Sequence, residues 1–213
     1  SSGPPERSDL PPPRPRKPTT MSAMYAIIAL LLVAAFWLLD GYVRARIQRH
    51  RTGDSGIRIP RTPKQWWARG TLASGMLLPG IAAPIAELLG LQPVPLLDHG
   101  PSRVAGIMLA ALGVFAAFGA QRAMGSSWRT TVDPTERPPL VTTGIFAIVR
   151  HPIYTSINVM VIGLTFAVPN GIALAGVVMI IIGSQLQVRL IEEPYLTATH
   201  GQAYRDYCEA VDR

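Results

Sequence analysis

The sequence has one cysteine, few charged residues and none of the common nucleotide or metal motifs, and each shortage excludes a class of protein. With Cys208 alone, neither an intrachain disulfide nor a cysteine-rich metal site can form. No zinc, Ser-His-Asp or Walker pattern occurs, and no strand leads into a Gly-x-Gly-x-x-Gly sequence. We therefore predict no metal site and no Rossmann domain.

Charged residues are scarce because long apolar runs take up much of the chain. Only 15% of the residues are charged, against 48% that are hydrophobic. Five apolar runs approach the length that crosses a bilayer, and a cleaved signal peptide is the alternative for the first of them. We predict an all-α integral membrane protein with about five transmembrane helices, at 24–39, 71–91, 104–120, 154–168 and 172–191.

Basic residues collect between the spans and give the chain a formal charge of +7. A nucleic-acid patch is one interpretation of segment 44–69. The excess of Lys and Arg in cytoplasmic loops accounts for the same residues, so we predict a cytoplasmic loop, an N-terminus outside and no nucleic-acid partner. Three parts follow: a disordered Pro/Arg-rich tail at 1–22, three transmembrane helices in 23–120, and a core at 121–213 with a hairpin at 154–191 and an amphipathic helix on the cytoplasmic surface.

A first polar cluster, Arg150-His151-Pro152-x-Tyr154, lies just before the fourth apolar run. Pro152 suits the first turn of a helix, which places His151 near the positive end of the helix dipole. A carboxylate or phosphate binds favourably there, and Arg150 adds a fixed positive charge. The alternative is that Arg and His merely mark the membrane interface.

A second polar cluster, Glu192-Glu193, follows the fifth apolar run. Two adjacent acids offer a negative site for a cationic ligand, although an ion pair with Arg189 on the same helix is the alternative. The turn signal at 169–171 makes the last two runs an antiparallel hairpin. Both clusters should then meet on the cytoplasmic side, where we predict a composite cofactor site.

These motifs resemble those of the isoprenylcysteine carboxyl methyltransferase family, whose members are integral membrane enzymes that use S-adenosylmethionine. The resemblance extends over 125–211, and no motif of it lies in the first three spans. It includes Leu-Val-Thr-Thr-Gly-Ile-Phe at 140–146, the Arg150 and Glu192 clusters, and Gly201-x-x-Tyr-x-x-Tyr. The order and spacing of these motifs make the match fairly specific, and Gly-Ser-Ser-Trp-Arg at 125–129 resembles an element of bacterial relatives, which implies a bacterial-type member.

The resemblance also implies roles for individual residues. Those that would hold the adenosine part of the cofactor are Leu140, Val141, Thr142, Gly144 and Phe146. Those that would hold the methionine part are Arg150, His151, Pro152, Tyr154 and Glu192. Those implied at the substrate side are Trp128, Arg129 and Arg189, with Arg189 and Glu193 as catalytic residues. The family's arginine for the substrate carboxylate aligns with Val188, one residue before Arg189.

The resemblance predicts methyl transfer to a lipophilic acceptor within the bilayer. A carboxylate, either of a prenylated terminus or of an isoprenoid or lipid acid, is the leading acceptor and needs no general base. An amine or hydroxyl acceptor would need one, and Glu193 and His151 are the candidates. Three alternatives stay open: a phospholipid N-methyltransferase, an NADPH-dependent sterol or isoprenoid reductase, and a membrane scaffold without activity. The Ala/Arg/Gly/Pro-rich composition favours a bacterial inner membrane.

Overall fold

Long apolar stretches fold as helices, and polar or glycine-containing stretches separate them. The computed structural model describes residues 19–212, so the predicted tail at 1–22 lies mostly outside the described residues. Over these residues there is no β-strand, and the helices are α1 Thr20–Thr52, α2 Pro63–Leu88, α3 Gly100–Ala123, α4 Pro152–Ala167, α5 Gly171–His200 and α6 Gln202–Ala210. Short 3₁₀ turns at Gly125–Ser127 and Gly144–Ala147 lie in the connection from α3 to α4.

The helices α1, α2, α3 and α5 are long and apolar enough to cross a membrane. With 16 residues α4 is shorter, and it measures about 24 Å at the α-helical rise. It packs mainly against α3. The predicted all-α integral membrane fold is confirmed, and each predicted span coincides with one of the helices α1 to α5.

The segment 44–69, which the sequence predicts as a loop, is mostly helical. The first helix continues to Thr52, and the second begins at Pro63. Arg44 and Gln48 are buried, and their side chains donate hydrogen bonds to backbone carbonyls at and just beyond the end of α3. The first part of the basic stretch therefore extends α1 instead of forming a loop, and its contacts hold it against the end of α3.

A capping box starts α2 at the other end of this connection. The Thr62 hydroxyl accepts a hydrogen bond from the Gln65 backbone N–H, and the Gln65 side chain accepts one from the Thr62 backbone N–H. This reciprocal pair satisfies two backbone donors that would otherwise be free. Only 53–62 is therefore left as a non-helical connection between the two helices.

Glycines let α3 and α4 approach closely. A Cβ added to Gly113 would lie 2.5 Å from the Met160 backbone nitrogen, and one added to Gly163 would lie 2.3 Å from the Ala110 backbone nitrogen. Small residues commonly allow such contact between membrane helices. This packing fixes α4 against α3 and therefore also fixes the polar residues at the start of α4.

We expect Gly113→Ala to lower the free energy of unfolding by about 1–3 kcal/mol, because the new methyl group meets backbone atoms that cannot move aside. Gly119 lies on the same helix, and a Cβ added there meets nothing within 4 Å. Gly119→Ala is therefore the matched control and should be neutral or slightly stabilising. Detergent-solubilised protein titrated with SDS measures both variants. Equal stabilities would contradict the close packing.

A buried ion pair joins helices at one end of the bundle. Arg103 near the start of α3 contacts Glu87 near the end of α2 at 2.7 Å, and both side chains are almost fully buried. The same guanidinium contacts Asp98 at 2.8 Å and donates to the Ala167 carbonyl at 3.1 Å. One arginine therefore ties together the ends of α2, α3 and α4.

The last two helices bring the C-terminal segment back under the hairpin formed by α4 and α5. Asn170 caps α5 by accepting hydrogen bonds from two backbone N–H groups of its first turn. Gly201, with a φ of 57°, ends α5 and starts α6. In α6, Tyr204 and Tyr207 are buried, and the polar face is exposed. The helix therefore packs by its aromatic side against the start of α4, as the predicted amphipathic pattern requires.

Candidate functional site

A cavity of about 380 Å³ lies at the end of the bundle opposite the Arg103 ion pair. Residues from all six helices and from the connection between α3 and α4 line it. Its volume falls in the range of small-molecule sites, roughly 300–1,000 Å³. It is the only part of the described chain where the two predicted polar clusters and the aromatic face of α6 border the same space.

Glu192 links three neighbouring side chains at this cavity. Its Oε1 accepts a short hydrogen bond from the Tyr154 hydroxyl and a longer one of 3.5 Å from the Gln187 amide. Its Oε2 lies 3.5 Å from His151 Nδ1. The π-helical turn Val188–Glu192 places this carboxylate toward α4, and such turns are frequent at functional sites.

Arg150 connects the start of α4 to the C-terminal segment. Its Nη1 lies 3.4 Å from Glu193 Oε1 and 2.9 Å from Cys208 Sγ. Its backbone N–H donates to the Asp212 carbonyl at 2.9 Å. His151 Nε2 lies 3.7 Å from the same Glu193 oxygen. Direct contacts thus link Arg150, His151 and Tyr154 of the first cluster to Glu192 and Glu193 of the second.

The aromatic face of α6 closes the cavity on one side. The Tyr207 hydroxyl donates a hydrogen bond of 2.5 Å to the Phe146 carbonyl, which holds the 3₁₀ turn Gly144–Ala147 in place. Burial raises the pKa of Tyr207, and it also raises the pKa of Tyr204, where the neighbouring Cys208 thiol is a smaller cause. Both phenols therefore stay protonated at neutral pH and can donate hydrogen bonds.

Trp128 and Arg129 form part of another wall of the cavity. The Trp128 ring is buried and lies under the Arg44 guanidinium, which is 4.6 Å from the ring centroid. Gly56 in the connection between α1 and α2 packs against the same ring, and its φ of 73° together with the short distance excludes a side chain there. Arg129 contacts Glu136 at 2.6 Å. Trp128 is therefore held by contacts on both sides.

Charged residues bind the connection at 53–62 to this wall. Arg58 forms ion pairs with both Asp54 and Glu136. The hydrogen bond from Arg58 is the main reason that the pKa of Asp54 is lowered, so this carboxylate is charged at neutral pH. The Thr130 backbone N–H donates to the Gly56 carbonyl at 3.0 Å. These contacts support the wall with a segment that the sequence alone did not connect to it.

Most of the predicted site residues border the cavity. Those that line it are Trp128, Arg129, Leu140, Val141, Phe146, Arg150, His151, Pro152, Tyr154 and Glu192. Glu193 lies just behind them, against Arg150 and His151. Thr142 and Gly144 belong to the same segment but do not line the cavity, although Gly144, with a φ of 63°, allows the chain to turn there.

Arg189 is the predicted residue that the structure places apart from the others. It is exposed on α5, its Nε donates to the Gln185 side chain at 2.7 Å, and it does not line the cavity. In contrast, Asp40, Gln121 and His200 line the cavity although no motif of the sequence assigned them a role. One feature of the sequence does distinguish Asp40: it is the charged residue at which the first apolar run ends.

Buried polar atoms without a hydrogen-bond partner are concentrated around the cavity. Within the described residues there are eight such atoms, and six belong to residues that line this space. These six are Asp40 Oδ2, Gln121 Oε1, Arg150 Nε, His151 Nε2, His200 Nε2 and Tyr204 Oη. Because an unsatisfied buried polar group is costly, this concentration is what a site for a polar ligand requires.

The fold and the site define an all-helical integral membrane protein with a largely apolar cavity at one end of its bundle, into which a few buried polar groups face. Residues 101–203 match the model of the phospholipid methyltransferase family. This is a family of membrane methyltransferases related to the isoprenylcysteine carboxyl methyltransferases, and its members generally use S-adenosylmethionine. A search among curated proteins gives no match to the chain.

The matched segment runs from the start of α3 into the first residues of α6. It therefore contains both polar clusters and the wall formed by Trp128 and Arg129. The match supports a membrane methyltransferase. Membership of the isoprenylcysteine carboxyl methyltransferases themselves stays a prediction.

Proposed function

We propose that the protein transfers a methyl group from S-adenosylmethionine to a lipophilic acceptor in this cavity. The observation that carries the proposal is the contact of Tyr154 and His151 with Glu192 at the start of α4 and the end of the fifth span. These residues come from the two motifs that carry the resemblance to S-adenosylmethionine-dependent enzymes. Their contact supports one binding site built from both motifs.

The charges around this contact fit such a donor. S-adenosylmethionine has a sulfonium, an ammonium and a carboxylate group, so its net charge is positive. One guanidinium, that of Arg150, lies beside two carboxylates, those of Glu192 and Glu193. The cluster is therefore net negative when His151 is neutral, and opposite net charges attract strongly in a partly buried site.

Side chains of the two clusters would orient the donor by contacting its cationic groups and its carboxylate. The donor supplies an electrophilic methyl group attached to a positively charged sulfur. Glu192 is held in one position by Tyr154 and Gln187, so it can contact a cationic group without moving. Arg150 Nε and His151 Nε2 are buried without a hydrogen-bond partner and lie at the N-terminal end of α4. They can donate to a carboxylate there.

A lipophilic acceptor can reach the cavity from the side of the bundle. Trp37 of α1 and Arg69 and Ala73 of α2 line the cavity and are also exposed. The cavity thus extends to the surface between two helices that cross the membrane. Basic residues flank this end of the bundle, which favours the cytoplasmic face. Holding both reactants in one site would supply much of the rate enhancement.

The same geometry disfavours the NADPH-dependent reductase. NADPH carries several phosphate negative charges, and the cluster at Arg150 presents two carboxylates against a single guanidinium. Two further arginines line the cavity: Arg129 is already paired with Glu136, and Arg69 is exposed at the surface. Two acceptor classes are compatible with a methyltransferase: a carboxylic acid, and an amine of a phospholipid, which the description of the matched family favours.

Calorimetric titration of the detergent-purified protein with S-adenosylmethionine and, separately, with NADPH tests the proposal. We expect saturable binding of S-adenosylmethionine at one site and no binding of NADPH. Binding of NADPH alone would instead support the reductase. Binding of neither compound would support a scaffold and overturn the proposal. Incubation with methyl-labelled donor and a membrane lipid extract then shows by mass spectrometry which lipid class gains the label.

A further inference from the structure

Asp40 is a buried acid at the cavity that the proposed donor site does not use. It lies in the π-helical turn Trp37–Val43 of α1, and its side chain is 4% exposed. Its Oδ1 accepts a hydrogen bond of 2.9 Å from the Gln121 amide. Its Oδ2 has no hydrogen-bond partner within the described residues, and the Gln121 amide oxygen beside it has none either. Two acceptor atoms are therefore left open at one place in the cavity wall.

The nearest arginine along the helix does not neutralise this acid. Arg44 follows Asp40 by four residues, the spacing of an ion pair in a regular helix. Its Nε instead donates to the Gln121 carbonyl at 3.1 Å, its Nη1 to Gln48 at 3.0 Å and its Nη2 to the Gly125 carbonyl at 2.6 Å. No ion pair to Asp40 occurs in the described part of the chain.

A carboxylate without a cation is costly in a membrane helix, so such a residue commonly has a functional partner. The two acids of the Glu192 cluster, at the same end of the bundle, already have partners. Glu192 accepts from Tyr154 and Gln187, and Glu193 contacts Arg150 and His151. Asp40 therefore stands out as the acid with an open oxygen that borders the cavity.

We propose that Asp40 contacts the reacting atom of the methyl acceptor and takes up its proton, so that the acceptor is an amine or a hydroxyl and not a carboxylate. This inference rests on the proposed function. A second carboxylate would be repelled by the buried Asp40 carboxylate. An N–H or O–H group, in contrast, can donate a hydrogen bond to Asp40 Oδ2 or Gln121 Oε1, neither of which has another partner within the described residues.

The reaction balances with these groups. The lone pair of the acceptor's nitrogen or oxygen forms a bond to the methyl carbon while the carbon–sulfur bond breaks and its electron pair stays on sulfur. The acceptor gains the positive charge that sulfur loses. Asp40 then takes the proton from that nitrogen or oxygen and becomes a neutral carboxylic acid, which passes the proton to water after product release. An ammonium acceptor instead gives its proton to Asp40 before transfer, which frees its lone pair, and the methylated product then keeps its positive charge.

The test compares Asp40→Asn with wild type. Asn has nearly the same shape and can still accept the Gln121 hydrogen bond, so we expect unchanged thermal stability and unchanged S-adenosylmethionine affinity. Methyl transfer to the acceptor lipid should fall about 100-fold or more, the usual effect of losing a general base. Glu209→Gln is the control, because it also replaces an acid by its amide but lies on the exposed side of α6, outside the cavity. It should leave methyl transfer unchanged.

Binding of simple amphiphiles gives a readout that does not depend on turnover. In the presence of S-adenosylhomocysteine, wild type should bind dodecylamine more tightly than dodecanoic acid. Asp40→Asn should weaken dodecylamine binding about tenfold, corresponding to the loss of one charged contact. It should not weaken the binding of dodecanoic acid.

Donor binding and methyl transfer together distinguish a wrong role for Asp40 from a wrong proposed function. If wild type does not bind S-adenosylmethionine, the proposed function itself is refuted. If wild type binds it and Asp40→Asn transfers methyl groups at the wild-type rate, only the role of Asp40 is overturned. Methyl esters as the labelled lipid product would overturn it as well, since a carboxylate would then be the acceptor.

Discussion

Glu192→Gln should weaken binding of S-adenosylmethionine by about 100-fold or more, because it removes a buried charge that the donor's cationic part would contact. Gln has almost the same volume, so the helix and its packing should persist. The amide can still accept the Tyr154 hydrogen bond, but it carries no negative charge. Calorimetric titration of purified protein measures the affinity, and circular dichroism checks that the fold is retained.

Glu209→Gln serves as the matched control for this change. Glu209 lies on the exposed side of α6, within the same C-terminal part of the chain, and it does not line the cavity. Its substitution changes the net charge by the same amount but should leave the affinity within about twofold of wild type, as expected for a screened surface charge. If Glu192→Gln binds as tightly as Glu209→Gln, the acid is not part of the donor site.

The contact between the two polar clusters could be predicted from the sequence because local signals determine it. Pro152 starts a helix, residues 169–171 form a turn, and the apolar runs between them have similar lengths. A helix, a short turn and a second helix bring the residues before the first and after the second to the same end. His151 and Glu192 accordingly lie 3.5 Å apart.

The far side of the cavity could not be predicted in the same way, because it depends on contacts between distant parts of the chain. Gly56 packs on Trp128, and Arg58 pairs with Glu136. Nothing in the local sequence of 53–62 distinguishes these residues from an ordinary basic connection. The positive-inside rule explains their charge but does not reveal the specific pairs that support the cavity wall.

The orientation of Asp40 and Arg189 depends on helix geometry that periodicity does not capture. Asp40 lies in the π-helical turn Trp37–Val43, and Arg189 in the π-helical turn Val188–Glu192. Such a turn contains an extra residue and rotates the following side chains relative to a regular helix. The regular helical spacing would pair Asp40 with Arg44 and Arg189 with Glu193. In the structure, Arg44 binds backbone carbonyls and Arg189 faces away from the cavity.

The largest effect on stability is expected at the other end of the bundle, for Arg103→Met. Removing the guanidinium leaves Glu87 buried without its cation, and a broken buried pair typically costs about 3–5 kcal/mol. Asp98 is partly exposed and can be solvated, so the loss falls mainly on Glu87. The hydrogen bond to the Ala167 carbonyl also disappears. SDS-induced unfolding of the detergent-solubilised protein measures the change.

Two further variants distinguish the cost of the unpaired buried charge from the cost of the lost packing. Arg122→Met alters an exposed arginine of the same helix, so its effect should be within about 0.5 kcal/mol of wild type. The double variant Arg103→Met with Glu87→Met replaces both charges by apolar groups and should recover much of the lost stability, because no unpaired charge then stays buried. If the double variant is as unstable as Arg103→Met alone, the stranded Glu87 carboxylate is not the cause. The connection of α2, α3 and α4 would then depend on the arginine's packing and its bond to Ala167.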